Sequence, residues 1–500
     1  MVEQSIKPIK KPGGSLKFCV LVAHLLSLLS MQNRITAPLI SIWLCIFSSF
    51  TFAANEAHEH PRTFAQMLEL GDVRMGVPYE RIVYVQSKNQ ILGAAPDISH
   101  YLSQYLSKKY NKRIQVSIVP SPSDKLINLI DENTADFALV YSHEYDQQLK
   151  SKKYLTYQHP YYEESLIASK AGTPPINSLL DLSGHVVCVG RLKDTAALDE
   201  ANKTLIKSGK KPIIIYQDKH VLDDEDFLQM LNSDLISYTY VAKWKAKLWE
   251  PVFTHIQANE NTTSAKGSPL ELVVSHENKE LAEEIISFIA SPDLKEAMDL
   301  FRKREFDIRK NALKNPLTPL EWQRFESMYS YFKLYGKQNQ LDPLFLAGLG
   351  FQESLLNQKA VSPSGAIGVM QLLPSTGKSL HVGDIHQLQP NIHAGAKYMN
   401  SLIYALSIDG DLSDVERSFF AVAAYNTGPG NVSKAREEAA QMGFNPNKWF
   451  GNVEMATAKL FGSQTFLYVR NVYKYYVAYD LRTNNASITA EKFILEEAKK

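Results

Sequence analysis

The spacing of apolar positions changes once along this chain. From about Gly71 to Pro292, short runs rich in β-branched and aromatic residues alternate with stretches of helical period. Residues 73–77, 114–119 and 136–141 read as strands, with helices over 99–108 and 124–132 between them. A second set begins near Leu180, where strands at 186–189 and 213–216 flank a helix over 196–208, and residues 270–275 supply a returning strand. Strand, helix, strand at this spacing predicts βαβ units on mostly parallel sheets, hence two α/β lobes with a cleft between them.

Beyond Asp307 strand patterns give way to helical ones. A stretch rich in Lys and Arg leads into Leu317-Thr318-Pro319-Leu320, which places a boundary near 305–320. Helices are predicted over 322–338, 343–356, 391–406, 415–425 and 464–481, with Asp342 and Asn391 as start signals. The organisation expected is an amino-terminal extension over 1–53, a two-lobed α/β domain over 54–305, a linker over 306–320 and an all-α domain over 321–500.

Two apolar runs, 17–30 and 38–52, precede all of this, separated by Met31-Gln32-Asn33-Arg34. Each is short of the ~20 apolar residues a spanning helix needs. The second has the plan of a signal peptide: a short basic start, an apolar core over 39–50 and small residues that allow cleavage after Ala53, with Met31 as the expected initiator. An exported mature chain is expected.

Composition adds exclusions. The chain has 54 basic and 53 acidic residues in 500. Residues 1–53 hold five basic residues and one acid, so the remainder has 49 and 52, near −3. Such a balance excludes a nucleic-acid-coating protein, and no nucleic-acid partner is expected. Cys188 is the single cysteine after residue 53, so neither an internal disulfide nor a cysteine metal site is possible there.

Chemistry concentrates around one acid. Glu353 is the only acidic residue between Asp342 and Asp384, and Leu346, Leu349 and Leu356 stand at −7, −4 and +3 from it, on one helical face. An acid there is partly desolvated, which raises its pKa toward that of a proton donor near neutral pH. The loop Ser362-Pro363-Ser364-Gly365-Ala366-Ile367-Gly368-Val369-Met370-Gln371 follows, then Ala424-Tyr425-Asn426-Thr427-Gly428-Pro429-Gly430. Glycines that let backbone approach closely, amides and an aromatic face are what a pyranose ring asks of a cleft.

In that order and spacing, Glu353-Ser354, Gly368-Val369-Met370-Gln371 and Ala424-Tyr425-Asn426 resemble the soluble lytic transglycosylase domain. Pro390-Asn391-Ile392, Ala394-Gly395-Ala396-Lys397-Tyr398 and Tyr468-Val469-Arg470-Asn471-Val472 extend the likeness over roughly 335–485. The resemblance implies a lysozyme-like all-α fold, peptidoglycan glycan strands as substrate, Glu353 as catalytic residue and Ser362, Gln371, Tyr425 and Asn426 along the saccharide cleft. Gln464-Thr465 stands where the family often has Glu-Thr before the Tyr-Val pair, so Gln464 and Tyr468 are expected to bind sugar.

The preceding segment resembles the extracellular solute-binding proteins of the amino-acid-binding type. The likeness rests on Gly93-Ala94-Ala95-Pro96-Asp97-Ile98, Asp136-Phe137-Ala138-Leu139-Val140, His159-Pro160-Tyr161-Tyr162 and Asp181-Leu182-Ser183-Gly184-His185-Val186-Val187. It implies a two-lobed periplasmic-binding-protein-like fold with a small-molecule or muropeptide ligand. After Val140, however, the chain reads Tyr141-Ser142-His143-Glu144-Tyr145 in place of the family's carboxylate-gripping arginine, leaving Arg191 and Thr195 as partial substitutes. A lobe pair that only presents the next domain is the competing expectation. The two segments in one chain resemble the membrane-bound lytic murein transglycosylases, which implies the periplasm and peripheral outer-membrane association.

Ordinary glycosidases need two carboxylates. One is at hand, so the substrate's own N-acetyl oxygen is the expected nucleophile, with no metal or organic cofactor. Two alternatives stay open: a hydrolytic muramidase using Asp409 or Asp411 as base, and a periplasmic binding or sensor protein with a wall-anchoring terminal domain. Asp414 and Glu416 belong to the same polar stretch and read as loop and helix cap.

Overall fold

The structure, a computed structural model, describes residues 60–141, 145, 147–162, 164–190, 194–218, 221–264, 269–309, 313–407 and 411–484. Met31, the apolar core 39–50, the cleavage site after Ala53, Ser142 to Glu144, Arg191 and Asp409 lie outside the described residues.

The first lobe begins with α1 (Phe64–Leu70), β1 (Asp72–Pro78), a hairpin of β2 (Val85–Ser87) and β3 (Gln90–Leu92), and α2 (Ala95–Tyr110). It continues through β4 (Gln115–Ser121), α3 (Leu126–Asp131), β5 (Phe137–Tyr141) and β6 (Tyr154–Tyr162). The second lobe holds β7 (Ser165–Lys170), β8 (Val186–Val189), α4 (Ala196–Lys207), β9 (Ile214–Gln217), α5 (Asp224–Asn232), β10 (Tyr238–Ala242), α6 (Lys243–Trp249) and β11 (Ile256–Asn259). The chain then returns to the first sheet as β12 (Pro269–Ser275), followed by α7 (Lys279–Ile289) and α8 (Pro292–Arg309).

Each lobe is built on a five-stranded sheet, ordered β4-β1-β5-β12-β6 in the first and β11-β7-β10-β8-β9 in the second. The βαβ strands pair in parallel, as their spacing predicts. The other pairings are antiparallel, which makes both sheets mixed where mostly parallel ones are expected. The added strands, β6 and β12 in one sheet and β7 and β11 in the other, adjoin the passages between lobes, where no helical crossover imposes a parallel direction.

The helical part comprises α9 (Pro319–Gln338), α10 (Pro343–Ser354), α11 (Pro374–Ser379), α12 (Leu388–Ser407), α13 (Asp414–Thr427), α14 (Pro429–Gln441), α15 (Glu454–Phe461) and α16 (Ser463–Asn484). Asp342 caps α10 as expected, its carboxylate accepting from the Leu344 amide at 2.7 Å. Asn391 does not start a helix: α12 begins three residues earlier, and the Asn391 side chain is turned inward.

Every residue from Leu344 to Phe351 of α10 is buried. A helix hydrophobic all round belongs in the middle of a core, so the predicted apolar stripe is a fully enclosed rod. Leu356 is buried too, but Leu355 and Leu356 both have left-handed backbone, with φ of 57° and 55°. Leu356 therefore reaches the core after the helix has ended, and shares no helical face with Glu353. The core around α10 does not stop at the domain edge, since Leu222, Phe227 and Met230 of the second lobe belong to the same apolar cluster.

Helix α16 lies against α10 at backbone distance. A Cβ placed on Gly348 would meet Tyr476 N at 3.0 Å and Val472 O at 3.1 Å. Gly348→Ala gains about 1 kcal/mol of helix propensity but overpacks a backbone, at about 1–3 kcal/mol. The expected outcome is a net loss of up to about 2 kcal/mol, read as a lower urea midpoint for the helical part; an unchanged midpoint would show that the two helices separate freely.

Candidate functional site

Glu353 is the last residue but one of α10, half-buried where the enclosed rod meets the surface. Burial pushes its carboxyl up from 4.5 to about 7, and a hydrogen bond from the Tyr468 hydroxyl pulls in the other direction. The same proximity raises Tyr468, through burial first and the Glu353 charge second.

Tyr425 faces the same acid. Its phenol is pushed well above the usual range by burial, with the Glu353 charge as the second cause. The Tyr425 hydroxyl donates to Met370 O at 2.8 Å, and its ring lies 5.1 Å from that of Tyr398. Tyr425 therefore does two things: it walls the acid and pins the 362–371 loop.

The loop is held from beneath as well. Asn391, fully buried, accepts from the Met370 amide at 2.8 Å and donates to Ile367 O at 2.9 Å. Gln358 accepts from the Val369 amide at 3.2 Å and donates to Ile385 O at 3.1 Å. These two amides close over Gly368, whose φ is +78° and whose Cβ would lie 2.4 Å from Asn391 Nδ2. Only glycine fits there. Ser354 completes the junction, its hydroxyl donating to Val369 O at 2.9 Å.

Gln371 follows with φ of 45°, and its amide nitrogen donates to Gly368 O at 2.9 Å and Ala360 O at 3.2 Å. Its nitrogen is committed to the backbone, so it is the carbonyl oxygen that remains to accept from a ligand. Ser362 makes its hydrogen bonds inside its own turn, accepting from the Ala366 amide at 3.0 Å and meeting Ser364 Oγ at 2.9 Å. Asn426 is exposed next to Tyr425, and Gln464 is exposed one turn before Tyr468 on α16. The structure thus brings Glu353, Tyr425 and Tyr468 into one electrostatic group and ties Gln371 to it through the loop. Ser362, Asn426 and Gln464 stand without a hydrogen bond to the acid among the described residues.

Among the described residues no second carboxylate acts on Glu353. Asp411 is exposed, Asp414 pairs with Arg417 at 2.6 Å, and Glu416 accepts from the Trp449 amide at 2.7 Å. No group of three His, Cys, Asp or Glu side chains among the described residues is arranged to hold a metal. In the second lobe, the Thr195 hydroxyl is turned back to Asp199 at 3.0 Å.

Gln358 and Asn391 are the functional side chains that pattern reading misses. Both are polar residues near predicted helix boundaries, where surface caps are the ordinary expectation, and only the packed loop shows them inside.

Over 423 residues, 82% of each chain, this protein is 25% identical to membrane-bound lytic murein transglycosylase F of Pseudomonas fluorescens. The protein of that name from Pseudomonas putida is 25% identical over 401 residues, 78% of each chain. A solved ancestral arginine-binding protein bound to arginine aligns with 47% of this chain and 97% of its own, at 18% identity and a TM-score of 0.29. The chain is thus similar along most of its length to membrane-bound lytic murein transglycosylase F, and its residues 330–448, which hold Glu353, the loop and Tyr425, match the family model of the Transglycosylase SLT domain.

Proposed function

We propose that the protein is a peptidoglycan lytic transglycosylase of the cell envelope, acting in the periplasm at the outer membrane, with Glu353 as its acid and base. The observation that carries this reading is a lone carboxyl, raised to about 7 by burial, hydrogen-bonded to Tyr468 and walled by Tyr425. Support also comes from the matched domain and from relatives whose names state the activity. Among the described residues no helix is long and apolar enough to cross a membrane.

In this mechanism the protonated Glu353 gives its proton to the glycosidic oxygen between N-acetylmuramic acid and N-acetylglucosamine, and the C1–O bond breaks. The acetamido oxygen of the muramyl residue bonds to C1, in place of a second carboxylate. Glu353, now a carboxylate, takes the proton of the muramyl C6 hydroxyl, and O6 displaces the acetamido oxygen from C1. The product is a 1,6-anhydromuramyl end, the acid is restored, and no water is consumed. Tyr468 stabilises the carboxylate between the two steps. Gln371, Asn426, Gln464 and Ser362 border the saccharide path, and Tyr425 holds the loop that shapes it.

Three outcomes are expected. Glu353→Gln lowers cleavage of purified peptidoglycan by about a thousandfold or more while binding persists, and a variant of near-normal turnover would refute the assignment. In the wild type the group must start protonated, so turnover falls as pH rises through about 7. Mass spectrometry of the products shows anhydro ends; reducing ends would instead identify a hydrolase.

Stability gives a further check on the same group. A carboxyl whose pKa is raised on folding contributes stability that is present below its unfolded pKa and lost as pH rises through the folded value. Glu353→Gln therefore stabilises the chain relative to wild type above pH 7 and much less near pH 4. Denaturation curves at the two pH values measure this, and an equal effect at both would mean that the carboxyl is not desolvated.

A further inference from the structure

Helix α16 is 22 residues long and works on two sides. Tyr468 and Tyr475, two turns apart, face α10: the first donates to Glu353, and the second sets its ring edge-on to Phe351 at 4.7 Å. Arg470, Tyr473 and Lys474 face the second lobe. Arg470 reaches Asp226 Oδ2 at 2.6 Å, Lys474 reaches Asp226 Oδ1 at 2.8 Å, and the Tyr473 hydroxyl donates to Asp218 at 2.7 Å.

Asp226 is the centre of this contact. It is fully buried near the start of α5 and also takes Arg81, from the segment after β1, at 2.9 Å. Arg81 further pairs with Asp223, Arg470 grips Glu454 through two nitrogens at 2.8 and 3.1 Å, and Lys245 meets Glu225 at 3.1 Å. These pairs join the first lobe, the second lobe and the helical part in one junction. A buried ion network gains little over apolar packing in stability but is strict about geometry, because each charge must keep its partners.

We propose that Asp226 is a positioning residue for the candidate acid: by anchoring Arg470 and Lys474 from the second lobe, it fixes the rotation and height of α16 that keep Tyr468 on Glu353. The inference rests on the functional reading above for its meaning, and on geometry alone for the link. Tyr468 is two residues from Arg470 on a rigid helix that rises 1.5 Å per residue. A slide of about one residue's rise, in so far as it runs along the bond, takes an O–H···O contact beyond hydrogen-bonding distance. The two tyrosines and the ion network lie on different sides of the helix, so together they restrain its roll, within the packing that encloses it.

The groups facing Glu353 are Tyr468 from α16 and Tyr425 from α13, with Tyr398 of α12 behind Tyr425. From α9, Arg324 approaches only the Leu355 carbonyl, at 3.4 Å, and is paired with Glu321. Of these, Tyr468 is the one that donates to the carboxyl, and losing it leaves burial unopposed.

The test uses the full chain. The Glu353 carboxyl is titrated by carbon-13 NMR without substrate, its signal assigned by its disappearance in Glu353→Gln, and the pH profile of peptidoglycan cleavage is recorded beside it. Asp226→Asn is expected to move the titration midpoint and the upper limb of the profile upward by about one pH unit, the worth of one hydrogen bond to a charged group. Tyr468→Phe should give the same shift, and the double variant no more than either alone. Gln229→Met removes the neutral partner of Lys474 at 2.5 Å without orphaning a charge, and should move the midpoint in the same direction by less. If Asp226→Asn lowers stability while midpoint and limb stay in place, the proposal is overturned; should that variant not fold, Gln229→Met decides by the same criterion. A wild type that does not cleave peptidoglycan would remove the functional reading, and the titration would still decide the positioning role.

Discussion

Glu353 and Tyr468 meet because two helices approach to backbone contact, and Gly348 sets that approach. The residue has no side chain to hold α16 away from α10, so the spacing of the rods is decided by main-chain atoms and is not adjustable by a rotamer. The hydrogen bond on the carboxyl follows from this spacing. The enclosed helix delivers the acid to an apolar edge, and the neighbouring rod brings a hydroxyl to it. Burial and hydrogen bond pull the proton affinity in opposite directions, and burial is the larger cause.

Against that fixed pair the saccharide loop is a sewn piece. Its backbone bonds to itself at Ser362, Gly365, Ile367 and Gly368, and the amides of Asn391 and Gln358 take up Met370 and Val369 from below while Tyr425 holds Met370 from the side. A buried polar group without partners is costly, so this arrangement holds one loop conformation strongly. Gly368 is the point where both amides cross the chain, which is why a glycine is required in a segment that pattern alone shows as an ordinary turn.

Much of this could be read before any coordinates. The 2-residue and 3.6-residue periods place the βαβ strands and the longer helices to within a few residues, because those elements bury one face each. Helix α10 shows the limit: a continuous apolar run was legible as a helix, but its burial on all sides, and its end at two left-handed leucines, depend on neighbours remote in sequence. Helices α14 and α15 lack a strong stripe and escape notice, although Gly428 both closes α13 and opens α14. Glu353 and Tyr425 were legible as chemistry through motif and spacing. Tyr468, expected to bind sugar, bonds the acid itself, a contact that pattern did not show. The ion network around Asp226 had no signature, since Arg81, Asp226 and Arg470 come from three distant segments and each looks like a solvated charge.

The order of strands in the first sheet carries a consequence for biogenesis. β12 lies between β5 and β6, yet it is synthesised only after the whole second lobe. The leading lobe therefore waits, with β5 paired on the β1 side only, until residue 275 has emerged, and its closure is a late, long-range event of the kind that slows folding. The inserted lobe has all five of its strands earlier, and is the part able to fold first as the chain emerges.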